Sequence, residues 1–214
     1  MRPDLPLVAL FAHPDDEFTV FPWIEQAVRN GQPVHCVWMT DGGWGGQSIS
    51  RRREESASIL LRFGVPREAM HFLGEENSIP DGQLHQWMDR ARAVLRAILP
   101  ILPRNAWWLI PAWEGGHQDH DACHLLAVDC CPPGTPLFQY PLYNGVGLPG
   151  PLFRTMSPLP ANGPTYAAPI TWKHRFLYPL HCLGYRSQWK SFMGLLPFYA
   201  MRMLHRRPFH IQPV

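Results

Sequence analysis

Short apolar runs alternate with longer amphipathic stretches over the first 130 residues. Leu7 to Phe11 is continuously apolar and Val34 to Met39 nearly so, a pattern that suits strands buried on both faces of a sheet. Phe18 to Asn30 follows a helical period closed by Gly31. Ser50 to Phe63 follows another, with Ser50 as N-cap, a charged first half and Ile59, Leu60 and Phe63 as an apolar stripe ending at Gly64. A short strand at Met70 to Leu73, a helix from about Leu84 to Leu99, a strand at Ala106 to Ile110 and a helix from about Gln118 to Cys130 continue the alternation. The pattern predicts an α/β chain with a Rossmann-like, doubly wound, mostly parallel sheet carrying helices on both faces, in a single domain over residues 1–214. Ligands of such sheets sit beyond the carboxyl ends of the strands, so the turns after Phe11, Met39 and Ile110 are expected to share one rim.

From Pro132 the period gives way to turns rich in Pro and Gly, such as Pro132-Pro133-Gly134 and Leu148-Pro149-Gly150. This irregular section runs to about residue 165, with strand candidates at Leu137 to Tyr140 and Thr165 to Ala168. Thr171 to Gln188 and Trp189 to Arg207 read as helical and basic, with Arg202, Arg206 and Arg207 near Phe198, Met201 and Met203. Such a tail is compatible with a membrane surface. Pro197 and the need to cover a sheet edge favour packing instead.

Composition narrows the partners. Of 214 residues, 19 are Lys or Arg and 17 Asp or Glu, a formal charge of +2 that is too small to drive counterion-release binding along nucleic acid. The longest apolar stretches, Ala106 to Trp113 and Phe192 to Met201, are too short to cross a bilayer. No small-residue cleavage site follows the apolar N-terminal run, which therefore reads as a strand and not a signal peptide. The 5 cysteines make an odd count with no CxxC, so neither a disulfide framework nor a zinc ribbon is expected, and the reducing cytoplasm is the expected compartment. A small molecule is the expected partner, and a homo-oligomer is compatible with the sequence.

The chemistry concentrates in two strand-to-helix turns. Ala12-His13-Pro14-Asp15-Asp16-Glu17 crowds an imidazole and three carboxyl groups together at the expected ligand rim, and a bound cation would relieve their mutual repulsion. An acidic helix start answering the macrodipole explains the same residues without a ligand. The second turn, Trp113-Glu114-Gly115-Gly116-His117-Gln118-Asp119-His120, decides between them by placing two more imidazoles at the same rim. A catalytic zinc takes three protein ligands and an open position. His13, Asp16 and one of His117 or His120 supply the three, and the other His is then free for proton transfer. Asp119 is placed to orient a neighbouring imidazole. Asp121 fits a helix start, Glu17 a support for its own loop, and His35, His71 and His124 structural or surface roles.

At these residues the chain resembles the PIG-L/LmbE-like metal-dependent N-deacetylases, whose AHPDDE and HxDH motifs it carries at Ala12 to Glu17 and His117 to His120. Arg52 with Glu55 resembles an RxxE element, Pro80-Asp81-Gly82 a PDG turn, and Tyr185, Ser187 and Gln188 the family's C-terminal helix. The resemblance spans about residues 5 to 130. It implies one zinc ion (Zn2+) held by His13, Asp16 and His120, with Asp15 as general base and His117 as the acid that protonates the departing amine. It further implies an N-acetylglucosamine-type substrate, with Arg52 and Asp81 near the sugar. Trp44, in the Gly-rich loop Thr40 to Gly46, and Trp113 are candidates for stacking on a sugar ring. The same centre would also serve another amide. A sugar-binding relative without turnover is disfavoured by intact Asp15, His117 and His120. A Mg2+ phosphohydrolase would rest on Asp15 and the Gly-rich loop, which lacks a GK[ST] ending.

Overall fold

Strand β1 (Leu7–Phe11) is buried at every position and bonds in parallel to β2 (Val34–Trp38) on one side and β4 (Trp107–Pro111) on the other. A strand with neighbours on both sides and helices over both faces meets no water, and so its sequence is uniformly apolar. In the computed structural model, which describes residues 4–150, 152–168, 170–205 and 208–214, one seven-stranded sheet crosses the chain in the order β3-β2-β1-β4-β5-β9-β8. Strands β3 (Met70–His71) and β5 (Leu137–Tyr140) extend the parallel part. A short hairpin of β6 (Tyr143–Asn144) and β7 (Arg154–Thr155) stands apart from the sheet. Strands β8 (Tyr166–Ala168) and β9 (Phe209–Pro213) close one edge in antiparallel register.

Side-chain alternation along the strands divides the interior in two. Leu7, Ala9, Phe11, Trp38 and Leu109 face helices α1 (Phe21–Arg29) and α2 (Ile49–Phe63), together with the C-terminal helices. Val8, Leu10, Val37, Trp108 and Ile110 face the other side, against α4 (Met88–Ile98) and α5 (Gln118–Cys130). Each fully buried Leu, Ile or Phe in these layers contributes about 1.5–3 kcal/mol relative to exposure. Because β1, β2 and β4 run parallel, the turns after Phe11, Met39 and Ile110 leave the sheet on one rim, as the strand pattern predicts.

Several boundaries shift for local reasons. Phe18 does not begin a long helix: Asp16–Thr19 is a 3-10 turn, and α1 starts after Val20 with Pro22 in its first turn. The N-cap of α2 is Ser48, not Ser50; its hydroxyl accepts the Arg51 N–H at 3.4 Å. Leu73 belongs to a short helix, α3 (Leu73–Glu76), and the helix expected from Leu84 opens as a 3-10 turn before α4. Near the C-terminus, α6 (Trp172–Cys182) stops well before Gln188, and α7 (Trp189–Leu204) accommodates Pro197. Arg206 and Arg207 lie outside the described residues. Strand β9 has no counterpart in the sequence reading, since only Phe209 and Ile211 alternate between flanking prolines.

Candidate metal centre

The turn after β1 is shaped by its own carboxylates. Asp16 folds back so that Oδ2 accepts the backbone N–H groups of Ala12 at 3.1 Å and His13 at 2.8 Å. Glu17 is fully buried, and its Oε2 accepts the Asp15 N–H and the Trp38 indole N–H. It supports the loop, as its position suggested. Between them Asp15 sits at φ +119°, a left-handed conformation that costs a non-glycine residue on the order of 1–3 kcal/mol and aims its side chain into the cleft.

The second turn enters from β4. His117 is the N-cap of α5, and its Nδ1 accepts the Asp119 N–H at 3.2 Å, which leaves the proton of a neutral imidazole on Nε2. His120 follows one turn later with Nε2 at 3.2 Å from Asp16 Oδ1. The His13 ring centroid lies 4.9 Å from that of His117 and 5.2 Å from that of His120. Gly116 makes this approach possible: a Cβ there would stand 1.8 Å from the Tyr143 carbonyl oxygen.

Asp119 does orient an imidazole, but it is that of the other motif. Its Oδ2 lies 3.1 Å from His13 Nε2 and also accepts the Gly82 N–H, while Oδ1 accepts the Leu84 N–H at 3.0 Å. Asp81 Oδ1 lies 3.2 Å from the same His13 Nε2. Two carboxylates thus occupy one ring nitrogen and leave Nδ1, 3.5 Å from Asp16 Oδ2, on the Asp16 side. Two bonds of about 2.0–2.1 Å at a tetrahedral angle separate their donors by about 3.3 Å. The His13–Asp16 and Asp16–His120 spacings come close to that span pair by pair, but they run to opposite oxygens of the Asp16 carboxylate, Oδ2 and Oδ1. Among the described residues, the triads whose donor atoms all lie within 4.8 Å of one another are His13–His117–His120 and His13–Asp81–Asp119, neither of which includes Asp16.

Charge fits a cation as well. Asp15, Asp16, Asp81 and Asp119 crowd this centre, and Arg52 is the guanidinium among them. Burial pushes the Asp15 carboxyl up to about 8, against the pull of Arg52. His117 is pushed down to about 4 by burial and by the two other imidazoles. For Asp81, burial is outweighed by His13 and Arg52, and its carboxyl falls to about 2. Burial of His13 is likewise outweighed, by Asp81 and Asp16 first, and the imidazole is held well above its ordinary range. A donor set of imidazoles and carboxylates with excess negative charge is one that a zinc-like divalent ion would satisfy.

The cleft above these groups has a volume of about 470 Å³. Trp44 forms part of its wall and packs over Gly82, where a Cβ would meet the indole at 2.6 Å. Arg52 and Asp81 also line it. Both are buried and bonded to each other at 2.7 Å, and Arg52 further donates to the Gly42 and Pro14 carbonyls. Their bonds hold the loops of Pro14, Gly42 and Asp81 together at the cleft wall. Trp113 is not a cleft residue: it is half exposed and stands edge-on to His124, because the chain turns away after Pro111. His124 bonds the Pro111 carbonyl and His35 stacks on His71, both structural arrangements. In the Gly-rich loop Asp41 Oδ1 accepts the Gly43 N–H at 2.8 Å, so that donor is already engaged.

Tyr143 is one of the cleft residues that sequence reasoning missed, with Gln47, Gln118 and Phe192 among the others. It is stacked against His120 at 5.6 Å between centroids, and Glu114 holds its strand by accepting the N–H groups of Leu142 and Tyr143. The available signal was position: Tyr143 follows β5, whose parallel course ends at the same rim.

The family of GlcNAc-PI de-N-acetylases, PIG-L, matches residues 8–131. No curated protein matches the chain. Among solved structures, N,N'-diacetylchitobiose deacetylase from Pyrococcus horikoshii superposes with a TM-score of 0.70 at 18% identity, over 98% of this chain and 83% of that one. A deacetylase of the teicoplanin biosynthetic pathway, solved as a triple mutant, gives 0.72 at 17% identity over 97% of both chains. The zinc-inhibited form of teicoplanin deacetylase gives 0.69 at 16% identity, again over 97% of both. At these identities the likeness establishes a shared fold.

Proposed function

The chain belongs to the PIG-L family and is a hydrolytic N-deacetylase of the amino-sugar type, and from that membership we propose that it removes the acetyl group from an N-acetylglucosamine unit, free or within a glycoconjugate, using one zinc ion. The observation that supports this most is the Asp16 carboxylate set between His13 and His120, with Asp15 directed into the cleft beside them. His13, Asp16 and His120 would hold the ion. When bound, it would supply Lewis acidity toward the amide carbonyl and a water whose pKa falls to about 7.

The remaining work belongs to side chains. Asp15 takes the proton of the attacking water, a role suited to a carboxyl whose burial raises its proton affinity toward the working range. His117 faces the cleft with its proton on Nε2 and delivers one to the departing amine. The proton that Asp15 takes from the water reaches the departing nitrogen by way of His117 Nε2, which gives up its own proton and takes that one in exchange, while Nδ1 stays engaged with the Asp119 N–H. Asp119 and Asp81 hold the His13 ring, and Arg52 ties the Asp15 loop to the Gly42 loop. Trp44 offers an aromatic face to a sugar.

Zinc-loaded protein incubated with acetylated amino-sugar derivatives is expected to release acetate. Asp15→Ala should retain the metal and lose about 10³-fold or more in kcat, a loss of about 4 kcal/mol in transition-state stabilisation. Equal turnover by both proteins would refute the base. Zinc itself is tested by metal content and by titration, since affinity orders overlap among divalent ions.

A further inference from the structure

All 17 Asp and Glu residues of this chain lie at or before Asp129, while Lys and Arg continue beyond it from Arg154 to Arg207. The C-terminal part is therefore purely cationic at neutral pH. Helices α6 and α7 occupy this part, packed against each other, with the Arg175 guanidinium over the Trp172 ring at 4.1 Å and α7 also meeting β7. Tyr178 and Cys182 on α6, and Phe192, Tyr199 and Met203 on α7, join the core. On the opposite faces stand Trp172, Phe176 and Leu180 at four-residue spacing, and Trp189, Met193 and Met201 at spacings of four and eight, all more than half exposed. The four-residue intervals place Trp172, Phe176 and Leu180 on one stripe of α6 and Trp189 and Met193 on one stripe of α7, with Met201 farther round the helix beside the β7 hairpin.

Between the helices runs an apolar groove of about 320 Å³, into which Leu183, Trp189 and Met193 turn. Lys173 and Lys190 are exposed beside the two tryptophans. Glu25 meets His174 and Tyr178 and Glu55 accepts from Ser187 on the packed side, while Glu54 lies at the edge of the face, in a pocket with Leu180 and Leu183 where Arg51, Arg62 and Arg186 outnumber it and Glu55.

We propose that the outer face of α6 and α7 docks on a bilayer containing anionic lipids, with the apolar stripes entering the boundary between headgroups and acyl chains and the lysines meeting lipid phosphates. Charge is what selects this occupant. A second copy of the chain would bring a face with an excess of cations, Lys173, Lys190 and Arg186 with Arg51 and Arg62 at its edge, against itself, which repels, whereas an anionic surface complements it. An aromatic and aliphatic stripe flanked by lysines is the composition of interfacial helices. No described helix is long and apolar enough to cross a membrane, so the attachment is to the surface. Phe192 borders both the groove and the catalytic cleft, and docking therefore sets the cleft mouth beside the lipid plane.

The full chain is to be sedimented with phosphatidylcholine vesicles, alone or with about one third phosphatidylglycerol. Binding to the anionic vesicles is expected to be at least about tenfold tighter and to weaken as salt is raised. Lys173→Glu combined with Lys190→Glu, both on exposed positions, should abolish that preference. Phe176→Ser combined with Met193→Ser should lower binding to anionic vesicles while the far-UV spectrum and unfolding midpoint stay unchanged. Absence of binding to either vesicle, or an undiminished preference in the lysine variant, overturns the proposal. So does a dimer in sedimentation velocity that the Phe176 and Met193 changes convert to monomer, which would assign the face to self-association.

Discussion

Residues up to Cys131 and residues from Pro132 onward meet at the cleft and contribute to it differently. The first region brings the ionisable groups, each held by bonds that leave little freedom: Asp16 by two backbone N–H groups, Asp119 by Gly82 and Leu84, Arg52 by two carbonyls. The second brings walls, namely Tyr143 against His120 and the side chains of Gln188, Phe192 and Leu195. Groups at strand ends are fixed to fractions of an ångström, which proton transfer and metal binding require. Walls built on loops and helix faces can differ in shape without disturbing the reacting atoms. Changes to the ionisable groups of the first region should therefore abolish turnover, and changes to the walls, which are the second region's whole share, should alter which substrate is turned over.

The severest test is Asp16→Asn. An amide oxygen can still accept from Ala12 and His13, so the turn should hold, but the anionic donor facing His120 is gone. Zinc content should fall below stoichiometric and kcat/KM should drop by about 10³-fold, equivalent to about 4 kcal/mol, with the unfolding midpoint measured in parallel. Retained metal and activity would detach the first region from catalysis.

Gly116→Ala tests the joint between the regions. The new Cβ would meet the Tyr143 carbonyl, so β6 must move off the second motif. Overpacking of this kind costs about 1–3 kcal/mol, read as a lowered urea midpoint, and activity should fall because Tyr143 leaves His120.

Glu114 joins the same two regions and gives a pH signature. Burial pushes its carboxyl up to about 7, against the opposing N–H groups of Leu142 and Tyr143 and the Asn144 amide. A group whose folded pKa is raised binds a proton in the folded state that the unfolded state has lost, so its contribution is present below about 4.5 and disappears as pH rises through 7. The shift corresponds to at most about 3 kcal/mol. Urea unfolding at pH 5 and pH 8 should show this decline in the parent and a flatter profile in Glu114→Gln. A parallel decline in both would remove Glu114 as its source.

Legibility followed the same division. Strands β1 and β4 were readable because burial on both faces forces an unbroken apolar run, and both motifs were readable because their residue types are costly to place together without a ligand. Helix starts were misplaced where several polar residues compete to cap, as Ser48 and Ser50 do. Partners across the fold were not legible: nothing local ties Asp119 to His13, 106 positions away, and not to its neighbour His117. Nor could spacing show that Arg52 and Asp81 neutralise each other. The hairpin carrying Tyr143 lacks any period because two-residue strands are too short to express one.

The mildest test separates two tryptophans that the sequence treats alike. Trp44 lines the cleft and Trp113 does not, although Trp113 lies only four residues before His117. Stacking of an indole on a sugar ring, if worth the about 0.5–1.5 kcal/mol of other ring contacts, should make Trp44→Ala raise KM by about two- to tenfold with kcat nearly constant. Trp113→Ala removes an edge contact with His124, on the far side of the motif, and should leave KM within about twofold. Steady-state kinetics on one acetylated amino sugar measures both. An effect of Trp113 equal to that of Trp44 would mean that the substrate extends past Gly115 toward the Asn162 loop, whose amide already donates to the Trp113 carbonyl, and that the second region takes part in recognition beyond the cleft seen here.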